Sequence, residues 1–359
     1  MACPARGHIG AGNIGIHSRK DKRYVCRVCG KTFSASKGTP FYRLRTPLDL
    51  VVLVVTLLAH GCPPQAIVAA FCLDERTVAS WQERAGKQCA RLHEHLVQRP
   101  RDLAQVQADE LRVKKQGGIL WLAMAIQVST RLWLGATLSA HRDGDLISAL
   151  MQKVRACALC RPLLFCTDGF RAYLYAIRQV FREPLCGGRG GRYLLRPWDN
   201  VCIAQMVKQY ACRQLVGVIR RVVQGSIAQV EQLLQQTQHS ALISTVYIER
   251  LNATFRSCLS ALVRRGRSLV QQTATLYDGV YLVGTVYNFC VDHESLRLPG
   301  IVGGRKWLPR TPAMAAGLAD HRWTVKELLL YPVPPPRWAP PQRRGRPSAA
   351  MKRLAAQWA

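Results

Sequence analysis

The chain has 359 residues, with 51 Lys and Arg against 21 Asp and Glu, for a formal net charge of +30. No ordinary metabolic enzyme needs that excess; it is the electrostatic footprint of a polyanion partner, most simply nucleic acid. At 48% hydrophobic the chain can bury a large core, and its length suits two or three domains.

Fourteen cysteines invite a disulfide reading. The opening Met1-Ala2-Cys3-Pro4 has no apolar stretch behind it, however, so no signal peptide is expected. The longest apolar run, residues 48–59, is interrupted by Asp49 and too short to span a bilayer, so no membrane role is expected either. The expectation is a cytoplasmic, reducing compartment, with most Cys buried as small apolar residues and a few serving as metal ligands.

Residues 1–44 hold Cys26-Arg27-Val28-Cys29-Gly30-Lys31-Thr32-Phe33. Two thiolates at this spacing converge, Gly30 permits the tight turn, and Phe33 packs beneath: a zinc-knuckle half-site. Tyr24 supplies a short strand before it. Cys3, followed by Pro4, is a third ligand for structural Zn²⁺. The fourth is not evident; His8 and His17 are candidates, and a start that clips the first Cys of an original pair is the other reading. Residues 45–97 read as three helices, 48–58, 65–71 and 75–85, broken by Gly61, Pro63-Pro64 and Leu73-Asp74. The third carries Thr77-Val78-Ala79-Ser80-Trp81. The order resembles a helix-turn-helix, with Thr77, Ser80 and Trp81 entering a major groove; a plain three-helix packing domain is the alternative.

Residues 98–300 form the large domain. A strand over 104–115 holds Asp109-Glu110, strands over 119–126 and 130–138 follow, and a helix over 145–156 leads into a buried strand, 163–167, that ends in Asp168-Gly169. A helix over 170–181 completes an α/β unit, and an Asp just past a buried strand sits where α/β folds place their sites. Taken singly, either Asp also suits a cap or turn. Residues 187–192 read as a basic Gly-rich loop, 202–208 as a strand and 227–235 as a helix. Cys157 and Cys160 have no second pair to complete a site and read as packing.

A helix over 246–264 then places Glu249, Asn252 and Arg256 on one face, beside an apolar face of Ile248, Leu251, Phe255, Leu259 and Leu262. That is a candidate metal ligand with a phosphate grip one turn on; a surface helix with weak charge pairing is the plainer reading. Arg264-Arg265-Gly266-Arg267 leads into a long amphipathic helix, 268–291. Residues 301–359 change character: a short helix over 325–331, a polyproline stretch, and Arg343-Arg344-Gly345-Arg346-Pro347. The last is the core of an AT-hook, in which Arg344 and Arg346 lie along a narrow A·T minor groove, or else an ordinary basic tail.

Asp109-Glu110 before a Trp-containing strand, Thr167-Asp168-Gly169-Phe170-x-x-Tyr173, and Ile248-Glu249-Arg250-Leu251-Asn252-x-x-x-Arg256 together resemble bacterial insertion-sequence transposases of the DDE class, nearest the insertion-sequence-one family and its relatives. With the knuckle and the helix-turn-helix, the resemblance covers most of residues 1–295. It implies an α/β, ribonuclease-H-like catalytic domain behind a small zinc-ribbon-like knuckle and a helix-turn-helix. Asp109, Asp168 and Glu249 would be the catalytic carboxylates, converging within a few Å to hold two Mg²⁺ (or Mn²⁺) ions for in-line phosphoryl transfer. Asn252 and Arg256 would flank the site and hold transposon-end phosphates, and Arg264 and Arg265 belong to the basic run that follows the Glu helix, here interrupted by Gly266. The implied partners are double-stranded DNA, as terminal inverted repeats and as target, and further copies of the chain in the DNA complex, at a bacterial nucleoid-associated location. The implied activity is cleavage at the 3′ ends and joining to target. A catalytically inactive or truncated copy acting as a DNA-binding repressor is the alternative, and a metal-dependent nuclease without strand transfer a third.

Overall fold

A computed structural model describes residue 3 and residues 13–20, 23–34, 36–185, 194–212, 214–302, 305–334 and 349. The chain divides into two compact units, residues 1–38 with 332–359, and residues 39–331.

The first unit is built on a three-stranded antiparallel sheet, β1 (Ile14–Ser18), β2 (Arg23–Cys26) and β3 (Thr32–Ser34), in the order β1-β2-β3. Its small core is Cys3, Cys26 and Phe33, with Ile14, Tyr24 and Cys29 packed against it. The turn from β2 to β3 closes through Gly30 N–H to the Cys26 carbonyl at 2.8 Å, with Gly30 at φ +68°, a conformation that favours glycine.

The second unit is mixed α/β. It opens with α1 (Leu48–Ala59), α2 (Pro64–Phe71) and α3 (Glu75–Leu96), whose N-cap Asp74 accepts from the Arg76 and Thr77 amides. Next come β4 (Gln105–Lys115), β5 (Gly118–Gln127), β6 (Trp133–Ser139), α4 (Gly144–Cys157), β7 (Leu163–Thr167) and α5 (Arg171–Val180). A hairpin of β8 (Arg182–Pro184) and β9 (Leu195–Pro197) precedes β10 (Val201–Ala211) and β11 (Gln214–Gln224), then α6 (Ile227–Gln238), α7 (Val246–Cys258) and α8 (Thr273–Cys290). A second hairpin, β12 (Leu298–Val302) and β13 (Arg305–Leu308), leads to α9 (Pro312–Ala315) and α10 (Val325–Leu330).

One six-stranded sheet, in the order β11-β10-β7-β4-β5-β6, organises the unit. β4, β7 and β10 run parallel; β5, β6 and β11 are antiparallel to their neighbours. Alternate residues of β4 face opposite sides. Glu110 meets Tyr173 of α5 on one side, while Gln107 and Asp109 meet the start of α7 and Asn252 on the other. Helices therefore cover both faces, and the C-terminal end of β7 opens between them.

Three expectations change here. Residues 45–97 are not a separate body: α3 continues to Leu96 and buries Val78, Trp81, Ala85, Cys89, Leu92 and His93 in the same unit as the sheet. The helix expected over 246–264 ends at Cys258, where Leu259 turns to extended backbone before a 3-10 turn, Ser260–Leu262. The helix expected to be amphipathic over 268–291 is α8, and it is buried on all sides from Asp278 to Cys290. It lies between α3 and β6, where the Asn288 amide accepts from the Trp133 backbone N–H and donates to the Trp133 carbonyl, each at 2.9 Å. No helix among the described residues is long and apolar enough to cross a membrane.

Candidate functional site

Asp109 lies mid-strand on β4, Asp168 just past the end of β7, and Glu249 in the first turn of α7. Parallel pairing of β4 with β7 brings the two Asp residues together. α7 is placed by β4 itself. Its N-cap Thr245 makes no side-chain cap. Instead the Gln107 side chain accepts from the Tyr247 and Ile248 amides, both at 3.0 Å, and donates to the Ser244 carbonyl at 2.7 Å. Two residues on, on the same face, Asp109 Oδ2 accepts from Asn252 Nδ2 at 2.7 Å. Gln107 and Asp109 thus fix the first two turns of the helix that carries Glu249.

All three carboxylates line one cleft of about 1240 Å³, together with Asn252, Arg256, Arg264, Arg265, Arg142, Phe170, Lys208 and Tyr210. The carboxylates within 4.8 Å of one another are Asp109, Glu110 and Asp168. Glu249 borders the cleft outside that group, with Oε1 accepting from Lys208 Nζ at 2.7 Å and from Thr245 Oγ1 at 3.0 Å. Asp168 Oδ1 accepts from the Phe170 amide at 2.9 Å, an Asx-type turn, and its Oδ2 pairs with Arg142 at 3.4 Å. Arg142 also donates to buried Glu110, from Nε at 2.6 Å, and lies over the Phe170 ring at 4.3 Å. The Tyr173 hydroxyl donates to the other Glu110 oxygen at 2.8 Å.

Electrostatics mark the same point. Burial, then the charge of Glu110, then those of Asp168 and Glu249, push the Asp109 carboxyl up to about 7. Burial likewise raises Glu110, with Asp168 adding to it. Crowded carboxylates resist ionisation unless a cation joins them, and hard oxygen donors suit Mg²⁺ or Mn²⁺. The donor chemistry therefore fits a divalent ion, with Asp109, Glu110 and Asp168 as the residues that could hold it.

The cations of the cleft are not all neutralised. Arg256 is half-buried, its Nε lacks a hydrogen-bond partner, and burial together with Arg264 lowers its pKa. Asn252 Oδ1 is likewise buried without a partner. The Arg256 Nε–H is a donor that a phosphate oxygen would satisfy, whereas the Asn252 oxygen, an acceptor, needs a donor such as water.

Comparison with protein-family models and with curated proteins gives no match to the chain.

In the first unit, Cys3, Cys26 and Cys29 bring their sulfurs within 4.8 Å of one another, and the Cys3 and Cys29 sulfurs are 3.5 Å apart. Three thiols on a tight turn can hold a metal ion. His17 is exposed on β1 and does not join the group; His8 and Pro4 lie outside the described residues. Arg344 and Arg346, with the whole 343–347 motif, also lie outside them, as does the 187–192 loop.

On α3, Thr77 and Ser80 are partly exposed, whereas Trp81 is 2% exposed and belongs to the core. Trp81 cannot read a base from there, which corrects the expectation; the solvent face of α3 is instead Arg76, Ala79, Glu83, Lys87, Arg91 and Glu94. Sequence reasoning missed Gln107, Arg142, Lys208 and Glu110 as site residues. Only Glu110 carried a signal, as the second acid of the Asp109-Glu110 pair.

Proposed function

We propose that the protein is a DNA transposase of the DDE class: it binds the terminal inverted repeats of its element, cleaves at the 3′ ends by metal-dependent hydrolysis and joins them to target DNA. The observation that carries this reading is the single cleft holding Asp109, Asp168 and Glu249 beside Arg256, Arg264 and Arg265. Acid oxygens for divalent ions and guanidiniums for phosphates are what phosphoryl transfer on a polyanion needs. The sheet order supports it too. Three antiparallel strands followed by two parallel ones, with the first Asp on β4 at their junction, would suit a ribonuclease-H-like domain, here extended by β11.

In this reading Asp109, Asp168 and Glu249 hold the ions, with Glu110 packed against the two Asp residues and Glu249 joining them from the border of the cleft. Bound Mg²⁺ or Mn²⁺ would supply activation of the attacking oxygen and stabilisation of the leaving 3′ oxygen. The chain's own residues do the rest. Asn252 fixes one oxygen of Asp109, Arg142 balances the charge on Glu110 and Asp168, and Arg256, Arg264 and Arg265 grip the backbone on either side of the scissile phosphate. The Cys3-Cys26-Cys29 group serves as a structural zinc site in the DNA-binding N-terminal segment. Copies of the chain pair up on the two transposon ends.

The test is cleavage in vitro on duplexes carrying the element's own ends with Mg²⁺. Glu249→Gln keeps size but loses charge; it should lower cleavage and joining at least about a thousandfold, equivalent to roughly 4 kcal/mol. End binding should persist. Normal cleavage by the variant would remove Glu249 from the catalytic set. End binding without cleavage by the unaltered chain would favour a repressor copy.

A further inference from the structure

Among the described residues, the two cations that form ion pairs with the cleft's carboxylates are held differently. Arg142 is built in: it bridges Glu110 and Asp168 and lies over the Phe170 and Trp121 rings at 4.3 and 5.4 Å. Lys208 is not. Its ammonium makes one contact with the acidic set, 2.7 Å to Glu249, and both side chains are well exposed, 36% for Lys208 and 45% for Glu249. Lys208 stands on the part of β10 where burial gives way to solvent, and the free lip of the β10–β11 ribbon continues past it. Glu249 meanwhile stands just outside the Asp109–Glu110–Asp168 group, although Asn252, one turn along the same helix face, already touches Asp109 at 2.7 Å. The Glu249 side chain is exposed and is tethered at its tip by Lys208 and Thr245.

We propose that Lys208 is a positioning residue that keeps Glu249 outside the carboxylate group until a nucleic-acid phosphate takes the ammonium in its place. The inference rests on the metal-dependent reading above and deepens it, since the third carboxylate is then delivered by substrate. A phosphate diester is the fitting competitor. It carries the same charge as a carboxylate, and Lys208 lines the same cleft as the three arginines that would grip the backbone. Release turns Glu249 towards the two Asp residues and leaves Lys208 on the phosphate. DNA and metal then strengthen one another's binding, and by linkage the effect is reciprocal. The arrangement guards against idle hydrolysis, because the ligand set is complete only when DNA is in the cleft.

The test is Mn²⁺ binding to the full-length, DNA-free protein at mildly alkaline pH, with free Mn²⁺ read by electron paramagnetic resonance. Lys208→Met should tighten Mn²⁺ about tenfold, equivalent to about 1.4 kcal/mol. Lys208→Arg, which keeps the charge, should behave as the unaltered chain. The decisive arm is Lys208→Met added to Glu249→Gln: with no carboxylate to release, the tightening should vanish. A short duplex of arbitrary sequence should tighten Mn²⁺ about tenfold more in the unaltered chain than in Lys208→Met. Tightening of equal size with and without Glu249→Gln would make Lys208 a mere background charge and overturn the inference. No tightening by Lys208→Met would overturn it as well. Absence of Mn²⁺ binding in every variant, the unaltered chain included, would instead sink the metal-site reading and this inference with it.

Discussion

Asp109 is where burial and charge conflict most. The folded chain holds its proton up to about pH 7, whereas an ordinary aspartate releases it at 3.8. Between those values the folded state binds more protons than the unfolded one, so stability falls as pH rises through the window and the loss is complete above about 7. The shift corresponds to a loss on the order of 4 kcal/mol. Urea unfolding of the metal-free protein in chelator should therefore show a lower midpoint at mildly alkaline than at mildly acidic pH. Asp109→Asn should flatten that fall, and Mg²⁺ should restore the alkaline midpoint by binding only the folded state. An Asn variant that declines as steeply as the unaltered chain would place the strain elsewhere. On the proposed reading the same strain gives Glu249 its value, since each carboxylate added to a crowded acidic cluster would deepen its preference for a divalent ion.

At the scale of elements, helix α8 is the centre of the packing between α3 and β6. It is apolar nearly all round, so it packs on every side, and glycines set its approach. A Cβ at Gly86 of α3 would meet the Asp278 backbone oxygen at 2.5 Å, and one at Gly284 would meet the Trp133 ring at 2.4 Å. Gly86→Ala gains about 1 kcal/mol of helix propensity but forces the helices apart. We expect a net loss of about 2 kcal/mol or more by denaturant unfolding; a neutral or stabilising result would mean the crossing has slack. The small sheet β1–β3 is the opposite case, with little core beyond Cys3, Cys26 and Phe33. On the proposed zinc reading, Cys26→Ser should lower metal content, read by metal analysis, and specific end binding with it; full zinc occupancy would contradict the assignment. What was legible in the chain follows this division. β5, β7, α4 and α5 were readable because each is a buried apolar run or a one-sided helix. So was Asp168, as the acid that stops a buried strand. β11 was not, because the ribbon it forms with β10 is solvated on both faces over much of its length and shows no alternation. Trp81 misled because a Thr-Val-x-x-Trp helix reads alike whether its aromatic meets DNA or the core. Gln107, Arg142 and Lys208 carry no local pattern at all: each acts across elements, and only the pairing of β4 with β7 and the docking of α7 give them partners.

For the molecule as a whole, a charge of +30 over 359 residues sets long-range attraction to any polyanion, and the cleft decides whether that attraction is put to use. Attraction spread over the surface and contacts made in the cleft separate by their dependence on salt. Each phosphate neutralised adds about −0.9 to the slope of log affinity against log salt. Binding to duplex DNA should thus weaken steeply as salt rises. Arg264→Ala with Arg265→Ala should make the slope shallower by about 1.8, two phosphates' worth, if both guanidiniums lie on the backbone. The same pair of substitutions on the solvent face of α3, Arg76→Ala with Arg91→Ala, tests whether that helix shares the track. A slope near zero would remove nucleic acid as the main partner. A steep slope untouched by the Arg264 and Arg265 changes would keep DNA on the protein but take it out of the cleft, and with it the reason for three carboxylates to stand beside three arginines.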